Sequence, residues 1–153
     1  MKILVSACLL GENCKYSGGN NYNQAVCDFA RGHQVVPVCP EVLGGLPTPR
    51  CPAEIVQGVV TNKEGINVDR EFRAGAAKAL AIAKENGVEL AILQSRSPSC
   101  GVKEIYDGTF SGTKIHGQGV FAKMLMDEGV RVLDAGELPK IILKNEDGKC
   151  QSN

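Results

Sequence analysis

The sequence predicts an α/β protein, in which a mostly parallel sheet of about four strands carries helices on both faces. Two observations lead to this fold class. Strand signals alternate with helix signals along the chain, and the strand signals are short apolar runs. The length of 153 residues suits one compact domain with one core. We therefore expect a single three-layer domain over 1–144 and a frayed polar tail over 145–153.

The first half of the chain holds two predicted sheet strands, 2–7 and 34–38, with a short helix over about 23–31 between them. The segment 39–52 contains four prolines and two adjacent glycines, so we expect a long loop without a regular element. Apolar residues alternate over 55–61. This pattern predicts either a strand or an edge hairpin outside the main sheet.

The second half supplies the longest predicted helix, 68–85, which is rich in Ala, Lys and Glu. A third sheet strand over 88–93 follows, and then an irregular, glycine-containing stretch. A helix over 120–128, a fourth strand over 130–133 and a terminal helix over 138–143 complete the pattern. Right-handed crossovers then place the four sheet strands in the order 2-1-3-4.

Charge and composition exclude several classes of partner. The chain has 17 basic and 17 acidic residues and no Trp, so no strong field attracts nucleic acid or an anionic membrane. No apolar run approaches the roughly 20 residues that span a bilayer. We expect a cytoplasmic protein, where thiols stay reduced and clustered cysteines indicate metal binding or catalysis more often than disulfides. The oligomeric state is left open.

Three of the seven cysteines follow predicted sheet strands. Cys8 follows the first strand, Cys39 the second, and Cys100 lies just beyond the third. The carboxyl edge of a parallel sheet is where ligands bind, at the point where the strand order reverses. In the order 2-1-3-4 the three loops are adjacent, so we predict a metal site there with one open position.

The remaining cysteines are weaker candidates. Cys27 lies in the apolar stripe of the first predicted helix, where a free cysteine acts as a small core residue. Cys150 lies in the polar tail. Cys14 and Cys51 lie in loops near the same sheet edge and compete for a place in the site.

The spacing of the cysteines does not identify the metal, because the chain has no C-x-x-C pair typical of zinc ribbons or ferredoxins. Three loop cysteines without an obvious fourth ligand suit an iron–sulfur cluster with one open iron, which acts as a Lewis acid. A zinc site with a bound water is the alternative. Lys15, Arg50 and Arg96 lie in the same loops and could hold a phosphate or a polar base.

Four motifs resemble those of the thiouracil desulfurase family. They are Ser6-Ala-Cys-Leu-Leu-Gly11, Lys15-Tyr-Ser-Gly18, Val38-Cys-Pro-Glu-Val-Leu-Gly-Gly-Leu-Pro-Thr-Pro-Arg50 and Ser95-Arg-Ser-Pro-Ser-Cys-Gly101. The resemblance extends from residue 4 to about residue 125, and the motifs are long and jointly specific.

The resemblance implies a compact α/β domain that removes sulfur from thiouracil with an oxygen-sensitive [4Fe-4S] cluster. By motif position, Cys8, Cys39 and Cys100 correspond to the family's three cluster ligands, which leaves one iron without a protein ligand. Glu41 and Ser97 correspond to the family's catalytic acidic residue and serine. The implied partner is a small thiolated pyrimidine.

The chemistry of these groups indicates hydrolysis without a redox change. A soft thiocarbonyl sulfur suits an open iron, and Glu41 could activate water and return the proton. Ser97 could orient the substrate or relay a proton. Two alternatives remain: an enzyme acting on thiolated nucleosides or RNA, and a zinc or iron–sulfur sensor without turnover. Balanced charge and few aromatic residues weigh against tight RNA binding.

Overall fold

The computed structural model of the protein describes residues 1–138. In chain order its elements are β1 (Lys2–Ser6), α1 (Gln24–Ala30), β2 (Gln34–Val38), α2 (Pro40–Leu43), β3 (Ala53–Val56), β4 (Val59–Asn62), α3 (Asp69–Glu85), β5 (Leu90–Leu93), β6 (Glu104–Tyr106), β7 (Lys114–His116), α4 (Val120–Asp127) and β8 (Arg131–Asp134). Short 3-10 helices cover Ala7–Leu10 and Ala135–Glu137.

The main sheet is parallel and has the strand order β2-β1-β5-β8. Ile3 of β1 lies opposite Val35 of β2 on one side and Leu90 of β5 on the other. This order confirms the sequence prediction of 2-1-3-4 for the four sheet strands. It also places the carboxyl ends of β2, β1 and β5 side by side.

Side chains of the central strands alternate between two separate apolar clusters, one on each face of the sheet. Leu4 and Ala91 pack on the side of α3 and α4, together with Phe72 and Phe121. Ile3, Val5 and Ile92 pack on the other side against α1. Because both faces are covered, the predicted three-layer architecture is confirmed.

The segment 39–52 contains a short helix, α2, so the prediction of a loop without regular structure is wrong there. Pro40 is the first residue of this helix, a position where its missing N–H group leaves no hydrogen bond unmade. The N–H groups of Leu43 and Gly44 donate to the carbonyl oxygens of Cys39 and Pro40. Proline here starts a helix and does not break one.

The segment 55–61 belongs to an antiparallel hairpin of β3 and β4 outside the main sheet. The hairpin alternative is therefore correct and the single strand is wrong. Gln57 and Gly58 form the turn with positive φ angles of 50° and 82°, as a two-residue primed turn requires. Asp69 Oδ1 accepts a hydrogen bond from Val60 N–H, which fastens the hairpin to α3.

The glycine-containing stretch after β5 holds a second small hairpin, β6 and β7, that the sequence did not indicate. The predicted terminal helix beyond Leu138, the domain boundary at 144 and the tail 145–153 lie outside the described residues. None of the helices within residues 1–138 combines the length and apolar character that a membrane span requires.

Candidate functional site

Three predicted cysteines lie around one cavity at the carboxyl edge of the sheet. Cys8 lies in the 3-10 helix after β1, Cys39 joins β2 to α2, and Cys100 lies in the loop after β5. All three line a cavity of about 490 Å³, together with Glu41 and Ser97. This volume falls within the roughly 300–1,000 Å³ of small-molecule sites.

The position of Cys8 depends on contacts with the loop that follows it. Asn21 Nδ2 donates to Cys8 Sγ at 3.4 Å, and Asn21 N–H donates to the Cys8 carbonyl oxygen at 3.0 Å. Gly11 ends the 3-10 helix with a φ of 97°, a conformation that favours glycine. The turn at Gly11 therefore reverses the direction of the chain, so that the loop after it brings Asn21 into contact with the Cys8 thiol.

The Cys100 loop is fixed by a serine and by close backbone contacts. Ser97 Oγ accepts hydrogen bonds from the N–H groups of Ser99 at 3.1 Å and Cys100 at 3.0 Å. A Cβ atom at Gly119 would lie 2.5 Å from the carbonyl carbon of Ser99, so only glycine fits against this loop. The Cys100 backbone consequently has little freedom to move.

Burial makes two of the thiols weaker acids than a free cysteine. For Cys8, burial raises the pKa of the thiol, although the hydrogen bond from Asn21 opposes it. For Cys100, burial raises the pKa to about 12 despite an opposing hydrogen bond from the hydroxyl of Ser6. The negative charge of Glu41 raises both pKa values further. A bound cation would favour the thiolates that burial alone disfavours.

Cys39 has the opposite tendency. A hydrogen bond from the Cys14 thiol lowers the pKa of Cys39, and the positive charge of Arg50 lowers it as well, while burial opposes them. Cys39 Sγ also lies 3.9 Å from the Cys14 carbonyl oxygen. Cys39 is thus the most readily ionised of the three predicted ligands.

The Glu41 carboxylate is held on both oxygens. Arg50 contacts Glu41 Oε1 through Nε and Nη2, each at 3.0 Å. Ser99 Oγ donates to Glu41 Oε2 at 2.9 Å. Only 14% of the Glu41 side chain and 7% of the Arg50 side chain are exposed, so the ion pair is shielded from water. Glu41 still lines the cavity.

The sequence and the fold of this protein match those of a known family. A family model described as 2-thiouracil desulfurase matches residues 3–137. The chain belongs to this family. An uncharacterized protein of Bacillus subtilis (strain 168), YbbK, is 42% identical over 150 residues, which cover 92% of this chain and 99% of that protein.

A solved structure described as a [4Fe-4S]-dependent thiouracil desulfidase, TudS, is similar to the chain as well. It is 40% identical, the match covers 94% of this chain and 96% of that one, and the TM-score is 0.84. This likeness confirms the α/β fold and the family that the four motifs indicated.

The thiols of this family member fit a multi-iron cluster better than a single metal ion. Within residues 1–138, no three Cys, His, Asp or Glu side chains converge closely enough to bind one ion. A zinc ion needs each ligand atom about 2.0–2.3 Å away. A cluster binds each thiolate at a different iron and therefore accepts thiols that are further apart. The three sulfur donors that line one cavity, with Cys100 buried and Cys8 and Cys39 partly buried, suit iron–sulfur ligation.

The sequence did not indicate that Ser99 and Arg50 contact Glu41. Ser99 was passed over in favour of Ser97, which bonds the loop backbone and the Ser99 hydroxyl. Arg50 was a candidate for binding phosphate or a base, but its guanidinium group already contacts Glu41 and the Cys14 carbonyl oxygen. The only sequence signal for Ser99 is its position directly before Cys100.

The other cysteines divide into two groups. Cys14 and Cys51 line the cavity, as their loop positions suggested. Cys27 is partly buried, with its thiol 3.9 Å from the Leu9 carbonyl oxygen, and does not line that cavity. Cys150 lies outside the described residues.

Proposed function

We propose that this protein is a thiouracil desulfidase that uses a [4Fe-4S] cluster held by Cys8, Cys39 and Cys100. The observation that carries the proposal is the meeting of these three thiols with Glu41 around one cavity. Membership of the 2-thiouracil desulfurase family and the likeness to a [4Fe-4S]-dependent thiouracil desulfidase support it. We further propose that the substrate is a small thiolated pyrimidine.

The three proposed ligands leave one of the four irons without a protein ligand. When bound, the cluster supplies a Lewis acid with an open position, suited to a soft thiocarbonyl sulfur. Burial of Cys8 and Cys100 disfavours their charged thiolates, and binding to the iron of the cluster would offset this cost. Arg50 adds a positive charge near Cys39.

In this proposal Glu41 manages the protons of the reaction. Its carboxylate accepts a proton from the attacking water while the oxygen bonds to the thiocarbonyl carbon. The proton then passes to the departing sulfur or to the ring nitrogen as the carbon–sulfur bond breaks. Thiouracil and water give uracil and hydrogen sulfide, and no electron is transferred. Ser97 lines the same cavity, and its hydroxyl lies 3.0 Å from that of Ser99, so we propose that Ser97 relays a proton toward Glu41 through Ser99 or orients the substrate.

Anaerobic purification tests this function directly. We expect brown protein, with iron and acid-labile sulfide bound in equal amounts and an absorbance at about 400 nm that is lost on exposure to air. Sulfide release from 2-thiouracil and from 4-thiouracil, measured separately, should detect turnover of at least one of them. Zinc without iron in active anaerobic protein would overturn the cluster assignment. Cluster-loaded protein that releases no sulfide from either compound would indicate a module without turnover.

A further inference from the structure

We propose that Ser99 and Arg50 are positioning residues that fix the Glu41 carboxylate, one on each oxygen. The inference deepens the proposed function and rests on it, since it assumes that Glu41 handles protons. Neither residue needs to contact the substrate in this role. Both act through the orientation of Glu41.

The guanidinium group of Arg50 makes a complete set of contacts with the surrounding loops. Besides Glu41 Oε1, it donates to the carbonyl oxygen of Cys14 at 2.8 Å, to that of Pro47 at 3.1 Å and to Thr48 Oγ1 at 3.0 Å. A rigid, planar group anchored on three other sites holds a carboxylate in one place better than a flexible ammonium does. Arg50 therefore fixes Oε1 and keeps the charge of Glu41 paired.

Ser99, in the loop after β5, fixes the second oxygen of the carboxylate. Ser99 is only 1% exposed. Its hydroxyl oxygen lies 2.9 Å from Glu41 Oε2, 3.0 Å from Ser97 Oγ and 3.7 Å from Cys100 Sγ. A serine hydroxyl has one proton to donate, and a carboxylate oxygen is its strongest acceptor here. Ser99 thus donates to Glu41 and accepts from Ser97.

The two contacts together remove the freedom of a glutamate side chain. Glu41 has three rotatable side-chain bonds, and its carboxylate would sample several positions without these contacts. With Oε1 bound by Arg50 and Oε2 by Ser99, the carboxylate keeps one orientation in which it still faces the cavity. Proton transfer requires the acceptor to lie within hydrogen-bond reach of the water it activates. Loss of either contact should therefore lower kcat more than it raises KM.

Four variants test this arrangement: Ser99→Ala, Arg50→Lys, Glu41→Gln and the double variant Glu41→Gln/Ser99→Ala. We expect Ser99→Ala to lower kcat by about 10- to 100-fold, the effect of one charge-assisted hydrogen bond, with little change in KM. Arg50→Lys keeps the positive charge but loses the planar contacts of the guanidinium group, and its kcat should fall about 10-fold. Iron content and melting temperature should stay near those of the wild type in Ser99→Ala.

The double variant separates positioning from a structural role. If Ser99 acts through Glu41, Ser99→Ala costs nothing further once Glu41 is Gln. Additive losses of turnover, or loss of iron in Ser99→Ala, would overturn the proposal. The exposed Ser17→Ala and Arg73→Lys serve as matched controls, because neither residue lines the cavity. A wild-type kcat in Arg50→Lys would show that Arg50 supplies only a positive charge and does not position Glu41.

A readout independent of turnover separates this inference from the proposed function. Crystal structures of cluster-loaded wild type and Ser99→Ala should show one Glu41 rotamer in the first and several in the second. A single unchanged rotamer in Ser99→Ala would overturn the inference even in an active enzyme. Absence of sulfide release by the wild type would instead overturn the proposed function, while the rotamers still decide whether Ser99 positions Glu41.

Discussion

Gly75 of α3 packs directly against the carbonyl oxygen of Pro40 in α2. A Cβ atom at Gly75 would lie 1.8 Å from that oxygen, and one at Gly44 would lie 2.0 Å from the carbonyl oxygen of Glu71. The two helices therefore meet backbone to backbone, at a distance that only glycine permits. Since α2 begins directly after Cys39 and contains Glu41, this contact positions both groups at the cavity.

Gly75→Ala is expected to destabilise the protein, although it lies inside a helix. Helix propensity alone would stabilise the variant by about 1 kcal/mol. The steric conflict with Pro40 should outweigh this and lower the free energy of unfolding by about 1–3 kcal/mol, as overpacking does. Urea unfolding measures the sign of this change in the free energy of unfolding. Ala74→Gly, at an exposed position of the same helix, is the control for propensity. A more stable Gly75→Ala would contradict the close contact.

The proposed ligand set predicts which thiols the cluster needs. Alanine at Cys8, Cys39 or Cys100 should abolish cluster binding, because each substitution removes one of only three protein ligands. Cys27→Ala is the matched control and should keep its iron, since this thiol does not line the cavity. Iron per chain after anaerobic reconstitution is the measurement.

Cys14 and Cys51 are the demanding cases, because both line the cavity. We expect Cys14→Ala and Cys51→Ala to retain the cluster, since the three other thiols already complete the site. Full iron content in Cys100→Ala together with loss in Cys51→Ala would show that the wrong thiol was assigned.

Glu41→Gln separates proton transfer from structure. Glutamine keeps the size of the side chain and an acceptor for Ser99, but it cannot take up a proton at neutral pH. Sulfide release should fall by about 100-fold or more while the cluster remains bound. A capping role for Glu41 would have the reverse result, with near-normal turnover or joint loss of stability and iron. Turnover, iron content and melting temperature are measured on the same preparation.

Glu54 of β3 fastens the loop that closes one side of the cavity. Its Oε1 accepts hydrogen bonds from the N–H groups of Gly108 at 2.9 Å and Phe110 at 3.1 Å. Glu54→Ala leaves both donors without this partner, so we expect a loss of about 1–3 kcal/mol in the free energy of unfolding. Phe110 lines the cavity, and KM should therefore rise.

Glu54→Gln retains an acceptor oxygen and should recover most of the stability lost in Glu54→Ala. The exposed Glu64→Ala controls for the loss of a surface charge. Unchanged stability and KM in Glu54→Ala would show that the loop holds its position without this carboxylate.

The strand order and the grouping of the three cysteines could be predicted because both follow from local patterns and general rules. Short apolar runs identified the parallel strands, and residues after such strands meet at one edge of the sheet. The contact of Ser99 with Glu41 joins residues 58 positions apart, so no local pattern contains it. Helix α2 was missed because counting prolines ignores that Pro40 occupies a first helical position.

Cys8, Cys39 and Cys100 come from three different connections of the sheet, and their separation along the chain has a consequence for biosynthesis. In an unfolded chain these thiols are far apart, and bringing them together carries the entropy cost of closing two long loops. Pairing of β1 with β2 and β5 brings the three loops together through backbone contacts that do not involve the thiols. Under the proposed function, we therefore expect the cluster to enter a chain that has already folded.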